Sequence, residues 1–171
     1  MVRNNRDSHD RMTNLITSEG RSRLQEEYDF LWEQERPRIV REVSDAAAEG
    51  DRSENASYIY GRKRLREIDG RLKHLGGRLK ALKVASSPAK PVTVSFGCWV
   101  TFEDENGVER CYQLVGPDEF DVASGRISID SPVGTALLGK KVDDEVTIRR
   151  PAGVLQATII GISAARPDGS V

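Results

Sequence analysis

Six apolar residues, Leu65, Ile68, Leu72, Leu75, Leu79 and Leu82, recur at alternating spacings of three and four. That is the a/d seam of a heptad repeat, and it must be covered by another helix. The chain supplies one just upstream. A helix-length segment from about Thr17 to Glu49 carries Leu24, Tyr28 and Leu31, then Ile39 and Val43. The second arm runs from about Ser53 to Lys83, and extending its register backward places Tyr58 on the seam. Two helices joined by so short a turn fold back as an antiparallel hairpin. At about 1.5 Å per residue, arms of about thirty residues carry the turn roughly 45 Å from the hairpin's base.

The first arm has one irregularity. Leu31 and Ile39 are eight residues apart, one more than a heptad, and Pro37 falls in the gap. A kink or local unwinding there absorbs the extra residue. In the second arm Gly76-Gly77 weakens the helix near its base, by about 1 kcal/mol per glycine relative to alanine.

After Lys83 the pattern changes. Two prolines, Pro88 and Pro91, among small polar residues read as a linker. Alternating strands then follow at Val94–Glu103, Glu109–Val115, Arg126–Ile129, Glu145–Arg149 and Leu155–Ile162. One short helix interrupts them: Ser131 caps it, Pro132 suits its first turn and Gly139 ends it. The fold class is α+β. The organisation read here is a polar extension at 1–16, the coiled-coil hairpin at 17–83 with its acidic tip at 50–55, a linker at 84–93, a small globular domain at 94–163 and a tail at 164–171.

Charge narrows the function. Charged residues are 31% of the chain and hydrophobic ones 37%, which suits an elongated, solvated helical part. The net charge of −1 hides an asymmetry, because the second arm from Arg62 to Lys83 is strongly basic and the first arm acidic. No apolar run approaches the roughly 20 residues of a membrane span, and no signal-peptide core follows Met1. Cys98 and Cys111 have neither metal spacing nor a disulfide framework. His9 and His74 have no partners at ligand spacing. A cytoplasmic protein without membrane association is expected.

The tip, Gly50-Asp51-Arg52-Ser53-Glu54-Asn55-Ala56, has two readings. In one, Gly50 ends the first helix while Asp51 and Glu54 form an Asp variant of the capping box for the second. In the other, the two carboxylates are oxygen ligands for a hard divalent ion such as magnesium. Two are too few for a closed site, so such an ion is shared with a partner. The basic run has a parallel choice between a solvated helix face paired with the acidic first arm and a strip that tracks phosphates, with Arg62, Lys63 and Arg64 nearest the tip. Trp32 and Trp99 read as packing residues, and Phe96, Trp99, Phe102, Tyr112 and Phe120 as core.

Several runs together resemble a known family: LITSEG at Leu15–Gly20, LWEQERP at Leu31–Pro37, GDRSENA at Gly50–Ala56, KRLREID at Lys63–Asp69, FGCWV at Phe96–Val100, ISIDSP at Ile127–Pro132 and ALL at Ala136–Leu138. They are similar to the Gre transcript-cleavage factors of bacterial RNA polymerase, more to the GreB-like branch than to the GreA-like one. The resemblance implies a coiled-coil hairpin followed by an FKBP-like globular domain. It implies a protein that is not itself an enzyme but stimulates RNA cleavage by backtracked polymerase, its hairpin entering the secondary channel. Asp51 and Glu54 match the tip acids that complete a Mg²⁺ site begun by the polymerase, Asp51 holding the second ion and Glu54 acting on the attacking water. Ser53 and Asn55 match residues that shape the tip. Arg62, Lys63 and Arg64 match positions that contact the extruded RNA 3′ segment, and Asp130, Ser131 and Pro132 match the motif that docks on the polymerase. A monomer is expected, since the hairpin covers its own seam. The alternative is a Gre-like regulator that occupies the same channel and inhibits. A distant third is an independent FKBP-like prolyl isomerase, which requires an aromatic-lined pocket in the C-terminal half.

Overall fold

The computed structural model describes residues 14–48 and 55–167. They fall into two compact units: Arg21–Leu82, and the residues up to Gly20 together with those from Lys83 onward. The α+β class with a leading helical hairpin is observed.

The hairpin is built from α1 (Ser18–Phe30), a π-helical turn (Leu31–Glu35), α2 (Arg36–Ala48) and α3 (Ala56–Ala81). The irregular spacing of the first arm is absorbed in the π turn. The N–H of Arg36 donates to the carbonyl of Leu31, five residues back instead of four. Pro37 accounts for the position. In an α-helical register its ring crowds the carbonyl of Glu33 and offers that oxygen no donor, and a wider turn relieves both. Leu31 and Ile39 thereby reach the same seam, packing with Ile68, Leu72 and Leu75, and Leu24, Tyr28, Val43 and Leu65 close over them.

Ion pairs follow the antiparallel order of the arms. Glu27 takes Arg71 through two bonds of 2.7 and 2.8 Å, Asp69 takes Arg36 at 2.8 Å, and Glu35 takes Arg64 at 3.6 Å. Exposed pairs of this kind contribute about 0–1 kcal/mol each, so the seam holds the hairpin and the charges set its register. α3 runs unbroken through Gly76 and Gly77. Tyr58, placed on the seam by sequence, is half-buried and lies outside the packed cluster.

The other unit centres on a five-stranded sheet. Its strands are β3 (Trp99–Asp104), β4 (Glu109–Val115), β5 (Arg126–Ser128), β6 (Glu145–Arg150) and β7 (Gly153–Ser163), in the order β5-β4-β3-β7-β6. Within this sheet only β4 and β5 pair in parallel, and a bulge between Thr101 and Phe102 interrupts the pairing of β3 with β7. A short helix α4 (Pro132–Leu137) packs beside β5 and β6, and Val100, Phe102, Leu114, Leu137, Ile148 and Ile159 fill the core. Strand β3 starts five residues later than expected, because Gly97 turns the chain at φ +83°.

Two segments differ from the sequence reading. Leu15 and Ile16, placed in the polar extension, form β1 (Leu15–Ile16), which pairs in parallel with β2 (Lys83–Val84). Ile16 is completely buried, and Ala85 from the expected linker packs against the core. Apolar side chains inside polar stretches have found cover that short-range patterns do not reveal. Among the described residues no helix is long and apolar enough to cross a membrane.

Candidate functional site

At the far end of the hairpin the helices meet on small residues. Ala46 on α2 and Gly61 on α3 are buried, and a Cβ on Gly61 would lie 2.6 Å from Cγ2 of Val43. Asn55 closes this end. Its backbone is extended, its side-chain oxygen accepts the N–H of Tyr58 at 3.2 Å, and its amide nitrogen donates to the carbonyl of Ala46 at 2.9 Å. One side chain thus caps α3 and ties it to α2.

This corrects the capping-box reading. The N-cap of α3 is Asn55 rather than Asp51, and the helix begins at Ala56, beyond Glu54. A carboxylate accepts hydrogen bonds but donates none, so aspartate could not also satisfy the Ala46 carbonyl. Asp51, Ser53 and Glu54 lie outside the described residues.

The basic residues beside the tip divide by partner. Arg62 is exposed, with its guanidinium 5.8 Å from the ring centre of Tyr58 and 3.4 Å from its hydroxyl. Lys63 is exposed with no ion pair among the described residues. Arg64 turns inward to Glu35 at 3.6 Å and Glu67 at 3.5 Å. The Glu35 carboxyl is held below the usual carboxylate range, first by hydrogen bonds from Arg38 and then by the charges of Arg38 and Arg64.

In the sheet-containing unit, Ser131 is the N-cap of α4. Its hydroxyl accepts the N–H of Gly134 at 3.0 Å and donates to the carbonyl of Ser128 at 2.6 Å. Pro132 occupies the first helical turn and is exposed, while Asp130 is half-buried and its N–H donates to the Ser128 hydroxyl at 3.1 Å. The aromatic pocket expected of a prolyl isomerase is not formed by Phe96, Trp99 and Phe102, which are buried. An open cleft of about 440 Å³ is lined instead by Glu103, Asp104, Glu105, Glu145 and residues of β7.

Sequence comparison decides the family. Residues 14–84 match the family described as transcription elongation factor, N-terminal, and residues 89–164 match transcription elongation factor, GreA/GreB, C-term. The chain belongs to the GreA/GreB family of transcription elongation factors. Within it, the chain is GreB-like. The transcription elongation factor GreB of Pseudomonas aeruginosa is 56% identical over 82% of this chain and 84% of its own, and that of Yersinia pestis is 55% identical over 82% and 83%. GreB of Pasteurella multocida is 51% identical over 84% of this chain and 91% of its own.

Some residues of this Gre-family chain were not read correctly from sequence. Trp32 is 56% exposed rather than packed, because Leu31 takes the seam and turns the next side chain outward. Its ring lies 6.0 Å from the guanidinium of Arg36. Phe120, read as core, is 58% exposed on the connection between β4 and β5. Beside it Glu119 is buried and accepts the backbone N–H of Thr17 at 2.8 Å as well as its hydroxyl. The buried carboxylate had no sequence signal beyond its position next to Pro117 and Asp118.

Proposed function

We propose that this chain is a transcript-cleavage factor: it inserts its hairpin tip into the secondary channel of backtracked bacterial RNA polymerase and stimulates hydrolysis of the nascent RNA 3′ segment. In this reading the chain is a cofactor and the polymerase is the enzyme. It acts in the cytoplasm, as a monomer. The observation that supports the reading best is the Asn55 cap. With α3 capped by Asn55, Asp51 and Glu54 of the Gre-like tip motif are not required as its caps, and a catalytic assignment no longer competes with a structural one.

Two carboxylates offer the donor chemistry that Mg²⁺ prefers, but too few ligands to enclose it. Asp51 would supply an oxygen ligand to a Mg²⁺ shared with the polymerase, an ion that would stabilise the negative charge that develops during phosphodiester hydrolysis. Glu54 accepts the proton of the attacking water at its carboxylate oxygen. Ser53 and Asn55 set the shape of the turn. Arg62 and Lys63 hold phosphates of the extruded RNA. Arg64 joins them only by leaving Glu35 and Glu67. Asp130, Ser131 and Pro132 dock on the polymerase at the channel mouth.

The test is cleavage of end-labelled nascent RNA in stalled, backtracked complexes with Mg²⁺, comparing wild type with Asp51→Asn and Glu54→Gln. Strong shortening by wild type, with both variants bound but inactive, is expected. Binding without acceleration above the polymerase's intrinsic rate would identify an inhibitor of the channel instead.

A further inference from the structure

One turn beyond the Asn55 cap, α3 presents an apolar pair that the hairpin does not use. Tyr60 is 70% exposed and Ile59 54% exposed. Neither belongs to the hairpin cluster. Residues three and four apart are neighbours on a helix surface, so Lys63 lies one turn beyond both, about 5.4 Å along the axis. Arg66 continues the face beyond Lys63. Both cations are exposed, and neither has an ion pair among the described residues. From Ala56 to Arg66 the helix contains no acid; the first is Glu67, which is paired with Arg64.

Trp32 makes a useful contrast. It is also an exposed aromatic beside an arginine, but Arg36 is neutralised by Asp69 at 2.8 Å. Beside Tyr60, by contrast, an exposed ring adjoins cations that have no ion pair among the described residues. That combination, an aromatic face beside free cations, is how proteins grip single-stranded nucleic acid: the cations take phosphates and the ring takes a base.

We propose that Tyr60, flanked by Ile59, is a stacking platform for one unpaired base of the RNA 3′ segment whose phosphate is held by Lys63. The inference rests on the cleavage-factor reading and adds a base contact to it. A stacked base is gripped without sequence readout, because every base offers a π-face. Tyr60 therefore fixes where the extruded strand lies against the hairpin and leaves the chemistry to the tip. It is a binding residue.

The experiment measures cleavage rate against factor concentration in backtracked complexes for wild type, Tyr60→Phe, Tyr60→Leu and Tyr60→Ala. Circular dichroism checks that α3 is retained. Tyr60→Ala is expected to raise the half-saturating concentration about tenfold, within the range for loss of one stacked base. The maximal rate and binding to polymerase without extruded RNA should stay unchanged. Tyr60→Phe should match wild type, and Tyr60→Leu should resemble Tyr60→Ala. A Leu variant as good as wild type would overturn stacking in favour of an apolar contact with the protein wall. An Ala variant indistinguishable from wild type would overturn the platform altogether. A wild-type protein that stimulates no cleavage would instead remove the cleavage-factor reading on which the proposal stands.

Discussion

Glu119 and Thr17, 102 residues apart in sequence, are joined through a buried carboxylate that accepts both the backbone N–H and the hydroxyl of the threonine. The same hydroxyl accepts the N–H of Gly20 at 3.0 Å, which makes Thr17 the cap of the first turn of α1. A side chain on Gly20 would collide with the Glu119 carboxylate, so glycine there lets the acid approach.

Removing this acid should be costly. Glu119→Ala strands the two donors of the partly buried Thr17, at up to about 1–3 kcal/mol for each group left unpaired. Glu119→Gln keeps one acceptor and should lose less. Urea denaturation followed by circular dichroism orders the three proteins. Equal stability of wild type and Glu119→Ala would show that the carboxylate contributes nothing to the fold.

Close packing near the tip gives a second prediction. A methyl group on Gly61 meets the stiff, branched Val43 side chain at 2.6 Å. Overpacking costs about 1–3 kcal/mol, against roughly 1 kcal/mol of helix propensity gained. Gly61→Ala should therefore be neutral to destabilising, and should loosen the Asn55 bond to Ala46. Hydrogen exchange at residues 56–62 is expected to rise. Unchanged protection would mean that Val43 yields without disturbing the end of the hairpin.

Gly77 is the opposite case. Nothing lies within 4 Å of the place its Cβ would occupy, and the surrounding helix is continuous. Gly77→Ala should stabilise the protein by about 0.5–1 kcal/mol through propensity and reduced freedom of the unfolded chain. Thermal unfolding reads this directly, and a lower midpoint would contradict it.

The contrast between these glycines shows what the sequence could tell. The leucine seam of α3 and the eight-residue gap at Pro37 carry their information in spacing, so the hairpin and its irregular turn were legible. Ser131, Pro132 and Gly139 likewise announce α4 within one short stretch. Asn55 was harder. Asp51, Ser53 and Asn55 are all good caps, and the choice rests on a bond to Ala46 across the hairpin. Glu119 and Thr17, or β1 and β2, meet over such long separations that no local pattern records them. Gly61 and Gly77 look alike as letters and differ only in what stands opposite.

Acid should weaken both units. Glu27 is held below the usual carboxylate range mainly by its hydrogen bonds from Arg71, and Asp104 by Arg110 at 2.6 Å together with the N–H groups of Val108 and Asn106. A depressed folded-state pKa contributes stability that is complete above the unfolded value, near 4, and is lost as pH falls through the folded value. The melting temperature should hold steady from pH 7 to about 5 and fall below about 4. Asp104→Asn should be less stable than wild type at neutral pH, and the gap should narrow in acid. A constant gap would show that the charge of Asp104 is not what holds the turn.

Ser131 calls for a variant that separates folding from recognition. Its hydroxyl is already committed to Gly134 and Ser128, whereas Pro132 is exposed. Loss of the cap costs about 1 kcal/mol, enough to fray a helix of six residues. Ser131→Ala should therefore weaken polymerase binding by disordering α4, and Ser131→Thr, which keeps an oxygen in place, should restore most of it. If the serine hydroxyl itself met the polymerase, threonine's added methyl group would disturb the contact and affinity would stay low. Binding of both variants to core polymerase, with hydrogen exchange across residues 132–137, distinguishes the two: threonine recovering protection and affinity together supports the cap, and protection without affinity supports direct contact.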